Sequence, residues 1–134
     1  MPLSPSISAK DFMTTKVISV APETDLMGAM RLFLEHRISG APVIDKRGEL
    51  VGMLTERDCL QSVVTAGYHG ESSGGSVAEF MTTDVVTVDA TVSLLDIAQL
   101  FVTTVYRRFP VLVEGRVVGV ISRRDVVRAV LDLA

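Results

Sequence analysis

Short apolar runs recur along the chain at two different spacings. Leu50–Leu54 and Val117–Ile121 carry no polar residue that would mark an outward face. Strands covered on both sides read this way. Val17–Val20 and Val85–Val88 are shorter and rich in β-branched residues, the signature of brief strands. The period then changes. Leu26, Met30, Phe33 and Leu34 fall at helical spacing and predict a helix from about Thr24 to Arg37. Leu94, Ile97, Ala98 and Phe101 predict another from about Val92 to Val105. Pro42-Val43-Ile44 and Pro110-Val111-Leu112-Val113 predict strands that begin on the proline, where a missing N–H is tolerated. Asp45–Gly48 and Glu114-Gly115 read as turns. The last helices start at Thr55 and Ser122. Ser8 and Ser76 open short helical turns, and Ser76 with Glu79 has capping-box spacing.

These elements come in two matching sets. Phe12-Met13-Thr14-Thr15 returns 68 positions later as Phe80-Met81-Thr82-Thr83. From residue 12 to 45 that offset gives 11 identities in 34 positions, Pro42/Pro110 and Val43/Val111 among them. One residue is then lost in a turn. From Gly48 to Asp58 the offset is 67, with 5 identities in 11, including Gly52/Gly119, Arg57/Arg124 and Asp58/Asp125. Ordered matches with one deletion in a turn identify a tandem repeat.

The fold class that follows is α+β: two β-α-β-β-α repeats. Residues 1–7 read as a disordered lead-in, 8–66 as the first repeat, 67–75 (with Gly67, Gly70, Gly74 and Gly75) as a linker, and 76–134 as the second repeat. A unit of this size is marginal alone. The uncovered sheet face of each repeat is therefore expected to be covered by the other, sheet against sheet, about a pseudo-twofold axis with grooves where the repeats meet.

Composition narrows the partners. The chain of 134 residues is 48% hydrophobic, yet no apolar run approaches the roughly 18 residues that span a bilayer. A net charge of −3 argues against a general nucleic-acid binder and leaves room for a local basic pocket. A single cysteine, Cys59, excludes an internal disulfide and suits a reducing compartment. The opening Met1–Ser6 lacks the charged and apolar regions of a signal peptide, so a cytoplasmic protein is expected. His36 and His69 are the only histidines, and with one cysteine they make no metal-ligand spacing. No Walker loop, no nucleophile elbow and no dinucleotide fingerprint is present, so no catalytic residue and no metal is assigned.

The chemistry concentrates at the two strand-to-helix junctions, Gly52-Met53-Leu54-Thr55-Glu56-Arg57-Asp58 and Gly119-Val120-Ile121-Ser122-Arg123-Arg124-Asp125. Each places a hydroxyl at the junction and a carboxylate three residues on. A helix cap alone explains that spacing. Its duplication, and the fitness of a helix start for phosphate, favour a ligand. The hydroxyl would donate to phosphate and the carboxylate accept from ribose hydroxyls. Arg57, Arg123 and Arg124 sit in first helical turns, where the helix dipole disfavours a cation; a bound anion or an acidic neighbour offsets that. Arg107-Arg108 precedes Phe109-Pro110, whereas Ser39-Gly40 precedes Ala41-Pro42, so the second repeat looks better suited to several phosphates.

With these residues in view, the chain resembles a pair of cystathionine-β-synthase-type (CBS) domains, the arrangement called a Bateman module, from about Ala9 to Leu133. The marks are Phe-Met-Thr-Thr before a short strand, Ile38–Val43, Arg107–Val111 and the two junctions. The resemblance implies an adenosine-containing ligand (AMP, ADP, ATP or S-adenosylmethionine) and no required cofactor. It implies phosphate contacts at Thr55 and Ser122, and ribose contacts at Asp58 and Asp125. Thr15, Val17 and Ile18, with Thr83, Val85 and Val86, would line adenine pockets beside Pro42 and Pro110. Arg107 and Arg108 match phosphate-binding positions, and Ser39 departs from that pattern. The family also implies a homodimer. With no catalytic group assigned, the output is expected to go through association with an effector protein. The expected function is thus a non-catalytic sensor; a docking or dimerisation scaffold with vestigial clefts is the alternative.

Overall fold

The computed structural model describes residues 7–69 and 75–133. Its elements in chain order are α1 (Ala9–Phe12), α2 (Leu26–His36), β1 (Gly40–Ile44), β2 (Leu50–Thr55), α3 (Glu56–His69), α4 (Val77–Phe80), β3 (Val88–Asp89), α5 (Leu94–Thr103), β4 (Arg108–Val113), β5 (Arg116–Ser122) and α6 (Arg123–Leu133). The mixture of helix and strand is the expected α+β class.

The long helices form where the apolar stripe runs: Leu26, Ala29 and Phe33 are the buried face of α2, and Leu94, Ile97 and Phe101 that of α5. Ser93 caps α5 by accepting from the Asp96 N–H at 3.1 Å. β1 pairs antiparallel with β2, and β4 with β5, each pair carrying an irregularity at the matching point (Val43/Ile44 and Val111/Leu112). The residue missing from the second repeat falls in the hairpin. Asp45, Gly48 and Glu49 close the first turn, whereas Glu114 and Gly115, at φ 49° and 80°, close the second in two residues.

Three expectations change. The runs at Val17–Val20 and Val85–Val88 leave little strand: Val20 makes one bridge to Val43, and β3 is two residues long. Both strands expected to begin on proline start two residues earlier. Helix α3 continues to His69, through the first part of the stretch read as a linker; residues 70–74 lie outside the described residues.

Proline inside a strand has a specific cause here. Pro42 faces Met53, and Met53 spends both its N–H and its C=O on Thr82, at 2.9 Å each. Pro110 faces Val120, whose N–H and C=O bond Thr14 at 3.0 and 2.9 Å. In both places the strand's main chain points away from the proline, so no ladder bond is lost.

Those same bonds define the compact units. Among the described residues, one unit, here the middle unit, lies within Ile18–Val85; the other, the split unit, joins residues 7–17 to residues 86–133. Each thus contains the opening Phe-Met-Thr-Thr of one sequence repeat and the sheet of the other. The middle unit is built on Val20, Leu26, Phe33, Ala41, Val43, Leu54 and Val77, with Phe80 and Met81 packed against them. The split unit is built on Ala9, Leu94, Ile97, Phe101, Phe109, Val111 and Ile121, with Phe12 and Met13 packed against them. Phe101 and Phe109 stack at a centroid distance of 4.5 Å.

Candidate functional site

Each unit ends one strand at a hydroxyl and begins a helix there. In the middle unit Thr55 closes β2, opposite Gly40 of β1, and the Glu56 N–H bonds the Ser39 carbonyl at 2.9 Å. Asp58 folds back: its Oδ2 accepts from the Thr55 N–H at 2.8 Å and from the Thr55 hydroxyl at 3.0 Å, while its own N–H donates to Thr55 Oγ1 at 3.3 Å. This reciprocal box satisfies the first turn of α3. Asp58 Oδ1 has no hydrogen-bond partner among the described residues, and the side chain is half-buried.

The split unit uses the same parts differently. Ser122 closes β5 opposite Arg108 of β4, and the Arg123 N–H reaches the Arg107 carbonyl at 3.3 Å. Asp125 Oδ2 accepts from the Ser122 N–H at 2.9 Å, and the Asp125 N–H donates to Ser122 Oγ at 3.2 Å. Here the hydroxyl donor to the carboxylate is Thr14, which reaches both oxygens at 3.3 Å. Arg128 adds a contact to Oδ1 at 3.3 Å. Asp125 is only 6% exposed and has both oxygens engaged. The Ser122 hydroxyl proton is not spent on any described residue.

The structure therefore sorts the sequence candidates. Thr83, Val85, Ile18, Ser39, Pro42, Thr55 and Asp58 belong to the middle unit; Thr15, Val17, Val86, Arg107, Arg108, Pro110, Ser122, Arg124 and Asp125 belong to the split unit. Pro42 and Pro110 are fully buried. Thr15, Thr83, Arg107 and Arg124 are exposed, and Arg108 is half-buried. Sequence reasoning missed Thr14. The duplicated Phe-Met-Thr-Thr pointed to that segment, but a partner 111 residues away leaves no local trace.

Burial raises the Cys59 thiol above its ordinary pKa, with the Asp58 and Glu56 carboxylates adding to the effect. At 4% exposure it packs in the core beside the junction. Its alkylation by iodoacetamide at pH 8 is expected to be slower than that of the unfolded chain by about tenfold or more, since only exposed thiolate reacts. A mass-spectrometric time course checks this; equal rates would place the thiol at the surface. Among the described residues no cluster of metal-ligating side chains occurs, and no helix is long and apolar enough to cross a membrane.

The model of the CBS domain matches residues 9–65 and again 77–132, which together are most of the chain. This chain is a tandem pair of CBS domains. The CBS domain-containing protein YhcV of Bacillus subtilis (strain 168) is 34% identical over 118 residues, 88% of this CBS pair and 81% of that protein. Among solved structures, CBSX2 in complex with AMP superimposes with a TM-score of 0.83 at 31% identity, covering 95% of this chain and 98% of that one. The CBS domain pair of MJ0100, solved with 5′-methylthioadenosine and S-adenosyl-L-methionine, superimposes at 0.78 and 23% identity over 99% and 100% of the two chains, a likeness of fold alone.

Proposed function

We propose that this CBS pair is a non-catalytic regulatory sensor that binds an adenosine-containing ligand at its strand-to-helix junctions. The carrying observation is the repeated geometry of Thr55 with Asp58 and Ser122 with Asp125; each lies in a unit with the opening segment of the other sequence repeat, and in the split unit that segment's Thr14 reaches Asp125. Phosphate at a helix start meets N–H donors and the positive end of the dipole. A carboxylate one turn in matches a ribose diol. At Asp58 a free oxygen is already available; at Asp125 a diol would replace the single proton that the Thr14 hydroxyl now shares between the two oxygens. The AMP complex of CBSX2 supports the same class of ligand.

With no catalytic group assigned, the output of such a sensor is association. The ligand stabilises one arrangement of the module, and an effector protein in the cytoplasm reads it. The exposed apolar side chains of α3 (Leu60, Val63, Val64) and α6 (Val127, Leu131) support a homodimer as the assembled form.

Calorimetric titration and thermal shift with AMP, ATP and S-adenosylmethionine test the reading. At least one is expected to bind, and at 100 times its dissociation constant it adds about 2.7 kcal/mol of stability. The double variant Asp58→Asn/Asp125→Asn keeps the side-chain shape and a cap acceptor. It is expected to weaken binding by about 10- to 100-fold, the worth of charged hydrogen bonds. No heat and no shift with all three ligands would leave the docking scaffold as the function.

A further inference from the structure

We propose that the two junctions take different adenosine ligands: the split unit a polyphosphorylated nucleotide, the middle unit an adenosyl compound without a phosphate chain. This rests on the sensor reading above and adds to it the ligand chemistry of each site.

The exchange of opening segments separates charge. Lys16 follows Thr14 and Thr15, and these lie in the split unit with Ser122. Asp84 holds the equivalent place after Thr82 and Thr83 and lies in the middle unit with Thr55. The segments that meet at the split-unit junction thus bring Lys16, Arg107, Arg108, Arg123 and Arg124, five cations, against the single carboxylate Asp125. Those at the middle junction bring Glu56, Asp58 and Asp84, three carboxylates, against Arg57 alone. Neither set is contiguous in the chain.

Hydrogen bonding separates the sites in the same sense and independently of charge. In the split unit the carboxylate is saturated and the Ser122 hydroxyl proton is unspent, which leaves a donor for an anion. In the middle unit the Thr55 hydroxyl is spent on Asp58, and what remains is an acceptor, Asp58 Oδ1. An acceptor at a junction whose segments carry two further carboxylates disfavours a triphosphate. It suits a ribose diol and tolerates a cationic tail such as a sulfonium with its ammonium group.

Swapping the charges between copies tests this by calorimetry on the full chain, with ATP and S-adenosylmethionine as probes. The wild type is expected to bind one ATP per chain, more weakly as salt rises, and S-adenosylmethionine at a second, non-competing site. Lys16→Asp/Arg107→Ser places the middle unit's charge pattern, that of Asp84 and Ser39, on the split unit. It is expected to weaken ATP by about tenfold or more while leaving S-adenosylmethionine within about twofold. Asp84→Lys/Glu56→Arg is expected to weaken S-adenosylmethionine by about fivefold or more and to admit a second ATP. The Tm of each variant reports whether it is folded. Two equal ATP events in the wild type, competition between the probes, or ATP indifferent to Lys16→Asp/Arg107→Ser would overturn the sorting alone. No heat from either probe would overturn the sensor reading beneath it.

Discussion

A chain that begins at Thr15 is expected to lose the packing of its second sequence repeat before that of its first. The segment removed carries α1, whose Ala9 is fully buried against Leu94 and Ile97 of the split unit, with Phe12 and Met13 packed on the same core. Its backbone bonds go to the far end of the chain: the Ala9 N–H to the Val92 carbonyl at 2.9 Å, the Lys10 N–H to the Ala90 carbonyl at 3.1 Å, and Thr14 to Val120 in both directions. The hydroxyl that serves Asp125 goes as well. Each exposed apolar side chain costs about 1.5–3 kcal/mol, and a buried carboxylate that loses its donor about 1–3 kcal/mol. A loss of about 5 kcal/mol or more is then expected, from a total of about 5–15 kcal/mol. Hydrogen exchange read by mass spectrometry checks it. Peptides over β4 and β5 should exchange quickly while those over β1 and β2 retain more protection. The reverse order is what two repeats folding each on its own segment would give, and it would refute the exchanged packing.

That exchange is also where the sequence stopped being legible. The helices, hairpins and junctions were readable because each is set by local pattern: a 3.6-residue stripe in Leu26–Phe33, a two-residue Glu114-Gly115 turn, a hydroxyl three residues before a carboxylate. The repeat itself was readable because both copies keep their core positions. What no local pattern encodes is which copy of Phe-Met-Thr-Thr serves which sheet. The two copies are identical over those four residues, so pattern alone assigns each to its own repeat. The short strands failed for a related reason. Val17–Val20 has strand propensity, but propensity describes a fit to a half-buried pleat, and the chain there finds a single bridge, Val20 to Val43. Likewise Asp58 and Asp125 are indistinguishable by spacing. They differ because Thr14 reaches one of them, and that depends on the fold around it.

The tightest consequence of the exchange lies under the two methionines. Gly119 sits in β5 where Met13 crosses it; a Cβ built there would stand 2.5 Å from the Met13 sulfur and 3.0 Å from the Thr14 carbonyl oxygen. At Gly52 the corresponding neighbours are the Met81 sulfur at 2.7 Å and the Thr82 carbonyl oxygen at 2.9 Å. A methionine can swing aside, being unbranched and adaptable. The carbonyl cannot, because Thr14 is bonded to Val120 and Thr82 to Met53 through the adjoining main chain. Gly119→Ala is expected to cost about 1–3 kcal/mol, the usual range for overpacking, and Gly119→Val about 3 kcal/mol or more, since its methyl groups also meet the carbonyl. At this chain length each kcal/mol lowers Tm by roughly 3–5 °C. Gly67 supplies the control: it lies in α3 with nothing within 4 Å of its missing Cβ. Gly67→Ala should therefore raise stability by about 0.5–1 kcal/mol through helix propensity. The second half of the argument needs the double variant Gly119→Ala/Met13→Ala. If the methionine sulfur were the whole obstacle, truncating it would restore what Gly119→Ala removed, less the cost of the lost side chain. A destabilisation that persists in the double-mutant cycle locates the obstacle in the Thr14 carbonyl. It follows that the glycine is required by the backbone of the opening segment. Alanine tolerated at both Gly52 and Gly119, with Tm unchanged, would mean that the opening segments do not lie against these strands.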